Sequence, residues 1–155
     1  MRLREKEITD RSEIEDILKR EKVCRFAMCD GDTPYVLPTT YGYHNGYMYF
    51  HSSKKGRKME ILRENNRVCF VVDTGHELVQ GPVETSCKST IRFKSVIGTG
   101  RAKMVDDPEE KRKAMDIIMC SVFGKAEFKY TEEGLRDMAI IRLDIDSLTG
   151  KKSGY

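Results

Sequence analysis

Residues 47–62, YMYFHSSKKGRKMEIL, join an alternating aromatic stretch to an amphipathic one through a cluster of polar and cationic side chains. Ser52 and Ser53 supply hydroxyls just before the predicted start of a helix, where free backbone N–H groups and the helix dipole favour an anion. Arg57 and Lys58 add positive charge, and the glycine before them lets the backbone approach a ligand closely. The pattern predicts an anion-binding site, and a solvated basic loop is the alternative that it leaves open.

The other side chains that could take part in catalysis or ligand binding are scattered along the chain. His51 ends the aromatic stretch and is a candidate catalytic residue, although a structural role is more frequent for such a histidine. His44 and His76 lie beside predicted turns, where we expect them to be exposed. Cys87 has Lys88 as its neighbour, and a cation can lower the pKa of a thiol, but a passive role is favoured. Neither the histidines nor the cysteines show metal-ligand spacing, so no metal site is predicted.

The composition restricts the class of protein. The chain has 155 residues, of which 39% are apolar and 34% charged, and a formal net charge of +3. These values predict one globular domain spanning residues 1–155. No apolar run has the length of a signal-peptide core or a membrane span, so we expect a cytoplasmic protein without membrane contact. The basic residues are interleaved with acidic ones, and no nucleic-acid partner is expected. Three of the five cysteines stand among apolar residues and are predicted to be buried.

The elements that must position the anion site begin with a short helix. Ser12 and Glu15 form a predicted capping box at its start. Three strands are predicted to follow, at residues 23–29, 35–43 and 47–51. A second helix then carries the anion site at its beginning and has an apolar face formed by Met59, Ile61 and Leu62.

Two local signals describe the hairpin before the anion site. Asn45-Gly46 is the dipeptide that a type I′ turn requires, because both central residues adopt positive φ. Pro38 cannot donate a ladder hydrogen bond, so its strand is predicted to be bent or to lie at a sheet edge.

The second half of the chain predicts a longer sheet and a third helix. Strands are expected at residues 67–73, at 77–87 with a bend at its Gly-Pro pair, and at 91–105. Gly98 and Gly100 inside the last of these indicate either strong curvature or close backbone approach. Asp107 is the predicted cap of a helix that ends at Gly124.

The last elements are a short surface helix at residues 131–137 and a final strand at residues 138–150. The third helix has an apolar face formed by Ala114, Ile117, Ile118 and Val122. The final strand has one predicted buried face, formed by Ala139, Ile141, Leu143 and Ile145. Six or seven such strands with few helices predict a mainly β, α+β fold, which is an antiparallel barrel with flanking helices.

Four segments in this order carry a resemblance: VLPTTYGY, YMYFHSSKKGRK, RVCFVVD and SVIGTGRA. Together they resemble the FMN-binding split-barrel superfamily related to pyridoxamine 5′-phosphate oxidase, and within it the branch of nitroimidazole-resistance-like proteins. The resemblance extends from about Glu13 to Lys151 and implies a six- to seven-stranded split β-barrel. The absence of tryptophan and the ending LTGKKSGY disfavour oxidation of vitamin B6 compounds.

The resemblance implies an FMN cofactor held at a homodimer interface. Pro38, Thr39 and Thr40 would run under the isoalloxazine ring, while Arg57 and Lys58 would neutralise the phosphate. The full set of implied cofactor-binding residues is Pro38, Thr39, Thr40, Tyr41, His51, Ser52, Ser53, Arg57 and Lys58.

Two functions follow from the resemblance. The first is an oxidoreductase that passes electrons from NAD(P)H to a small oxidant such as a nitroaromatic or a quinone. The alternative is a non-catalytic protein that binds or senses flavin or haem, with His44, His51 and His76 as the available axial ligands.

Overall fold

The computed structural model describes residues 4–125 and 127–155. These residues form eight strands and four α-helices, together with short 3₁₀ helices at Arg4–Lys6 and Val83–Lys88. The α-helices are α1 (Arg11–Arg20), α2 (Arg57–Glu64), α3 (Pro108–Phe123) and α4 (Glu132–Asp137). The strands are β1 (Glu7–Ile8), β2 (Val23–Asp30), β3 (Thr33–Thr40), β4 (Gly42–His44), β5 (Tyr47–Ser53), β6 (Arg67–Val79), β7 (Thr90–Val105) and β8 (Met138–Ser153).

The strands form one antiparallel sheet in the order β3-β2-β6-β7-β8-β5-β4, and β1 pairs with β8. This architecture confirms the predicted α+β split barrel with flanking helices. The predicted strands at residues 67–73 and 77–87 join in the single strand β6, which lowers the number of strands by one. Two other differences raise the total to eight. The predicted strand at residues 35–43 divides at Tyr41 into β3 and β4, and β1 has only two residues, which is too short to show alternation.

The inner face of the sheet forms the main core. Alternating residues of β2 and β6 point inward, including Phe26, Met28 and Phe70, which are at most 2% exposed. The Phe26 ring lies 4.9 Å from the ring of Phe50 on β5. Ile17 of α1 and other apolar residues of α1 and α2 join this core. Burial of each such side chain contributes about 1.5–3 kcal/mol.

The long strand β7 bends where its glycines lie. A Cβ at Gly98 would collide with the Phe70 ring, and one at Gly100 would collide with the backbone carbonyl of Asp144 on β8. The register between β7 and β8 also shifts between Thr99 and Gly100. Of the two alternatives predicted for these glycines, close backbone approach is therefore confirmed.

A second, smaller core lies on the outer face of the sheet, under α3 and α4. It consists of Val105, Ala114, Met115, Ile118, Leu135 and Ile140. Ile140 is 1% exposed although it points away from the inner core, so the prediction of a single buried face on the last strand was wrong. The two helices cover the second face there. Ile117 and Val122, which were expected on the apolar face of α3, are only partly buried.

The helix and turn signals were mostly confirmed. Asn45 and Gly46 have φ values of 49° and 84°, as the type I′ turn requires. Asp107 caps α3 by accepting a hydrogen bond from the Glu110 N–H at 2.8 Å, and Gly124 ends α3 in the left-handed region. Pro38 lies on β3, which is the terminal strand of the sheet order.

Three expectations were wrong. The cap of α1 is Asp10 rather than Ser12, because the Asp10 carboxylate accepts the Ser12 N–H at 2.9 Å. The predicted strand at residues 77–87 ends at Val79, and a 3₁₀ helix follows it. Only Cys24 is fully buried, whereas Cys69 is partly buried and the other three cysteines are exposed.

Within the described ranges, no helix is both long and apolar enough to cross a membrane.

Candidate functional site

The start of α2 leaves backbone donors available. β5 ends at Ser53 and α2 begins at Arg57, with Gly56 between them at a φ of 110°. Gly56 accepts hydrogen bonds from the N–H groups of Met59 and Glu60, but no side chain in the described residues caps the helix. The first N–H groups of α2 therefore point out of the helix, where they favour an anion.

The two serines before α2 lie on opposite faces of β5. Ser52 is partly buried and pairs with Ala139 of β8, whereas Ser53 is exposed. The Ser53 hydroxyl accepts the Lys55 N–H at 3.2 Å, which orders the turn into the helix. The structure therefore brings Ser53, but not the side chain of Ser52, to the solvent-facing start of α2.

Arg57 is already engaged by two side chains of the β2–β3 hairpin. Its Nε lies 3.0 Å from the carboxylate of Asp30, and its guanidinium carbon lies 4.8 Å from the centre of the Tyr35 ring. Both members of the ion pair are about half exposed, so the pair contributes at most about 1 kcal/mol to stability. A more highly charged anion can compete with Asp30 for this arginine.

Lys58 is the contrasting cation of the cluster. It is partly buried, and burial lowers the pKa of its ammonium group. No salt bridge of Lys58 with a described residue is formed. A half-desolvated charge without a counter-ion gains free energy when an anion binds beside it, so Lys58 fits a phosphate group better than any other cation of this segment.

The predicted residues of β3 are divided between the two faces of the sheet. Pro38 and Thr40 pair with Arg25 and Val23 and lie on the outer face, whereas Thr39 pairs with the buried Cys24. These positions follow from the alternation of side chains along a strand.

Tyr41 belongs to the core. It is 0% exposed, its hydroxyl donates a hydrogen bond to the Leu18 carbonyl at 2.8 Å, and burial raises its pKa. Its main-chain N–H also donates a hydrogen bond to the Lys22 carbonyl at 3.3 Å, so the predicted contact of Tyr41 with a cofactor could be made only through its carbonyl.

The outer face of β2, β3, β6 and β7 is uncovered by any described helix and carries apolar side chains. We call it the uncovered face and define it by Val23, Ala27, Val36, Cys69, Val71 and Ile97. Val36 is 57% exposed and Ile97 45% exposed. A cavity of about 510 Å³ lies on this face, between Cys29, Pro34 and Thr99 among others. Cys29 and Pro34 adjoin Asp30 and Tyr35, so this cavity and the start of α2 meet at the same hairpin.

The histidines and Cys87 are spread over the molecule. His51 is exposed on the outer side of β5, opposite Ile140 of β8. His44 is exposed at the β4–β5 turn, and His76 is exposed with its Nε2 3.0 Å from the Oδ2 of Asp73. The expectation of exposure is confirmed for both. Cys87 is exposed in the second 3₁₀ helix.

Comparison with known proteins decides the family. Residues 10–152 match the family model described as pyridoxamine 5′-phosphate oxidase. The chain belongs to this family. The match spans slightly more than the segment over which the sequence motifs resemble the superfamily.

Members of the pyridoxamine 5′-phosphate oxidase family and other proteins share this architecture. A candidate 5-nitroimidazole antibiotic resistance protein from Bacteroides thetaiotaomicron is 34% identical, with a TM-score of 0.84 over 94% of this chain and 86% of that chain. An FAD- and haem-binding protein from Mycobacterium smegmatis is 21% identical, with a TM-score of 0.87 over 97% of this chain and 74% of that chain. At that identity the likeness shows the fold alone.

A relative from Rhizobium meliloti (strain 1021), an uncharacterized protein, is 28% identical over 94 residues. The match covers 61% of this chain and 54% of the relative. The chain therefore matches about half the length of that curated relative.

Sequence reasoning missed the partners of Arg57 in this family member. Asp30 and Tyr35 are 27 and 22 residues away along the chain, and no local spacing signals their contact. Asp30 and Tyr35 lie on the two strands of the β2–β3 hairpin, and their contact with an arginine depends on where α2 packs.

Proposed function

We propose that the protein binds FMN between two copies of the chain and passes electrons from NAD(P)H to a small oxidant such as a nitroaromatic or a quinone. The observation that carries this proposal is Lys58, which is partly buried at an uncapped helix start and has no carboxylate partner within the described residues.

The start of α2 would hold the phosphate of FMN. The first backbone N–H groups of α2 would donate hydrogen bonds to it, Lys58 would neutralise part of its charge, and Arg57 would leave Asp30 to bind it. Lys54 and Lys55 are exposed on the loop before the helix and contribute less, since they remain solvated. The Lys54 carbonyl instead accepts a hydrogen bond from Arg63.

Pro38 and Thr40 would hold the ring of FMN against the uncovered face. This face exposes an apolar surface with an open cavity, and such surfaces mark interaction sites. A second copy of the chain covers both the ring and the face, which completes a homodimer with two equivalent sites.

The bound FMN supplies the redox chemistry. The residues of this chain bind its phosphate, orient its ring and exclude water from it. His51 is the candidate catalytic residue, and its exposed side chain lies on β5, the strand that leads into the phosphate cluster.

The first experiment is an absorbance spectrum of the purified protein with mass spectrometry of the released ligand. An oxidised-flavin spectrum and the mass of FMN are expected. A haem spectrum would support the alternative of a haem-binding protein, and bleaching by NADPH without turnover would support a flavin carrier over an enzyme.

The second experiment is a fluorescence titration of FMN and riboflavin against variants. Lys58→Ala is expected to weaken FMN binding about tenfold to a hundredfold, because a charged hydrogen-bond partner is lost. Arg57→Ala is expected to cost less, since Arg57 must leave Asp30 to reach the phosphate. Lys55→Ala is the matched control, and circular dichroism checks folding. Equal losses for FMN and riboflavin at Lys58 would contradict the phosphate assignment.

A further inference from the structure

Arg25 is a charged residue in the apolar part of the uncovered face. Along β2, its neighbours on this face are Val23 and Ala27. Across the sheet, it pairs with Pro38 of β3 and with Val71 of β6. Because side chains alternate along a strand, all four apolar neighbours share the face of Arg25. Arg25 therefore stands next to Pro38, one of the residues proposed to hold the FMN ring.

A carboxylate on the neighbouring strand β6 holds the side chain of Arg25. The Arg25 Nη1 lies 2.6 Å from Oδ1 of Asp73, and the other oxygen of Asp73, Oδ2, lies 3.0 Å from Nε2 of His76. The guanidinium carries five N–H donors, and only its Nη1 is engaged by a described residue. The side chain is therefore anchored on one side and keeps donors for a ligand.

The order of the strands places the positive charge towards β3. β2 lies between β3 and β6 in the sheet, so Arg25 stands between Asp73 and Pro38. Neighbouring strands are about 4.8 Å apart. A ligand with three fused rings that lies beside Pro38 therefore comes within reach of the guanidinium before it reaches the carboxylate.

Stability does not account for a charged pair at this position. The side chains of Arg25 and Asp73 are 52% and 21% exposed, and such a pair contributes at most about 1 kcal/mol. The cores of subunit interfaces are depleted in charged residues, because charges lose hydration free energy when a partner covers them. A ligand that uses the guanidinium accounts for the place of Arg25 on a face that a second copy is proposed to cover.

We propose that Arg25 contacts the ring of FMN and stabilises the negative charge that the ring gains on reduction. This inference rests on the proposed FMN site. NAD(P)H gives up two electrons and one proton and leaves as NAD(P)⁺, so reduction adds one negative charge to the ring beside Arg25. A fixed cation there favours the reduced form and raises the midpoint potential, and the effect is stronger where a second copy excludes water.

The first test measures the midpoint potential of FMN bound to the full-length protein. Arg25→Gln is expected to weaken the binding of reduced FMN about tenfold relative to oxidised FMN, which lowers the midpoint potential of this two-electron couple by about 30 mV. Arg25→Lys keeps the charge and should recover most of the loss. Arg92→Gln is the matched control and should leave the potential unchanged. Arg92 is also paired with a carboxylate, at 3.3 Å from Glu77, but it points to the face of β7 opposite to that of Ile97.

The second test compares FMN with riboflavin by fluorescence titration. Both compounds contain the ring that Arg25 contacts, so Arg25→Gln should weaken both by the same factor, about threefold to tenfold. Lys58→Ala, in contrast, should weaken FMN far more than riboflavin. A loss confined to FMN in Arg25→Gln would place this arginine at the phosphate and overturn the inference.

The remaining outcomes separate this inference from the proposed function. Bound FMN with an unchanged midpoint potential in Arg25→Gln would overturn the inference and leave the FMN site in place. Equal shifts in Arg25→Gln and Arg92→Gln would overturn it too, since they would reflect net charge alone. Light scattering follows the mass of each variant, and a shift that appears only when the Arg25→Gln dimer dissociates would assign Arg25 to the interface instead. No FMN bound to the unaltered protein would overturn both proposals.

Discussion

Two regions of the outer face of the sheet carry apolar side chains, and helices cover only one of these regions. On β8 and the end of β7, Ile140 and Val105 are 1% and 5% exposed beneath α3 and α4. On β3 and the middle of β7, Val36 and Ile97 are 57% and 45% exposed. Both pairs are aliphatic, and neither pair points into the main core.

The difference teaches that the chain supplies helices to cover one face, while no described helix covers the other, which we propose is covered by a second copy of the chain. The covered face is completed by helices that follow β7 directly in the sequence. The uncovered face lies on strands whose connections, such as the short β2–β3 hairpin, offer no helix to pack on it. A contiguous exposed apolar surface of this kind is typical of an interaction site.

The largest expected effect is on the free energy of unfolding, which a substitution on the covered face should lower more than a matched substitution on the uncovered face. Ile140→Ala should lower the free energy of unfolding by about 2–5 kcal/mol, because it leaves a cavity beneath α3 and α4. Ile97→Ala is the matched variant on the uncovered face. Urea unfolding should show a loss for Ile140→Ala at every protein concentration, whereas any loss for Ile97→Ala should fade on dilution. Similar losses at low concentration would contradict the comparison.

The next effect tests the uncovered face as a subunit interface. Val36→Lys places an unpaired charge on it and should weaken dimerisation at least about a hundredfold, without unfolding the chain. Light scattering measures the mass, and flavin fluorescence measures the accompanying loss of FMN. Phe123→Lys, at an exposed position at the end of α3, is the control. A monomeric unaltered protein that retains FMN would contradict the interface.

A smaller effect is expected where α3 is tied to α4 on the covered face. Lys111 is 8% exposed, and its ammonium donates hydrogen bonds to the carbonyls of Leu135 at 3.3 Å and Met138 at 3.1 Å. A cation is favoured at these carbonyls because they end α4. Lys111→Met should therefore cost about 1–3 kcal/mol in urea unfolding. The exposed Lys113→Met is its control, and unchanged stability of Lys111→Met would refute the role.

The smallest effect concerns α1, which belongs to neither outer face. A hydrogen bond from Lys94 at 2.8 Å, together with the charge of Lys94 and Lys152, lowers the pKa of Glu13. Its contribution to stability is therefore full above the unfolded pKa and is lost as the pH falls through the folded pKa. Lys94→Met should cost less than about 1 kcal/mol at neutral pH, and the difference should vanish in acid. A difference that persists at low pH would contradict this assignment.

Local signals predicted several elements well. The Asn45-Gly46 turn, the Asp107 cap and the Gly124 end of α3 depend on backbone preferences of one or two residues, so they can be found without knowledge of the fold. The predicted cap of α1 was wrong because Asp10 and Ser12 are both favourable cap residues. The backbone conformation at the start of the helix decides that Asp10 caps it. The prediction of a strand over residues 77–87 was wrong at its end, because the alternation of side chains did not distinguish a strand from a 3₁₀ helix there.

The sequence by itself determined the family, the antiparallel barrel and the cationic start of α2, because motifs, alternation and capping are written in neighbouring residues. The tertiary structure alone decided how Arg57 and Lys58 differ, since Asp30 and Tyr35 come from a distant hairpin. It also decided which part of the outer face is covered by helices. These properties depend on contacts between segments far apart along the chain. The alternation of apolar and polar residues within a strand does not indicate which element packs on its outer side.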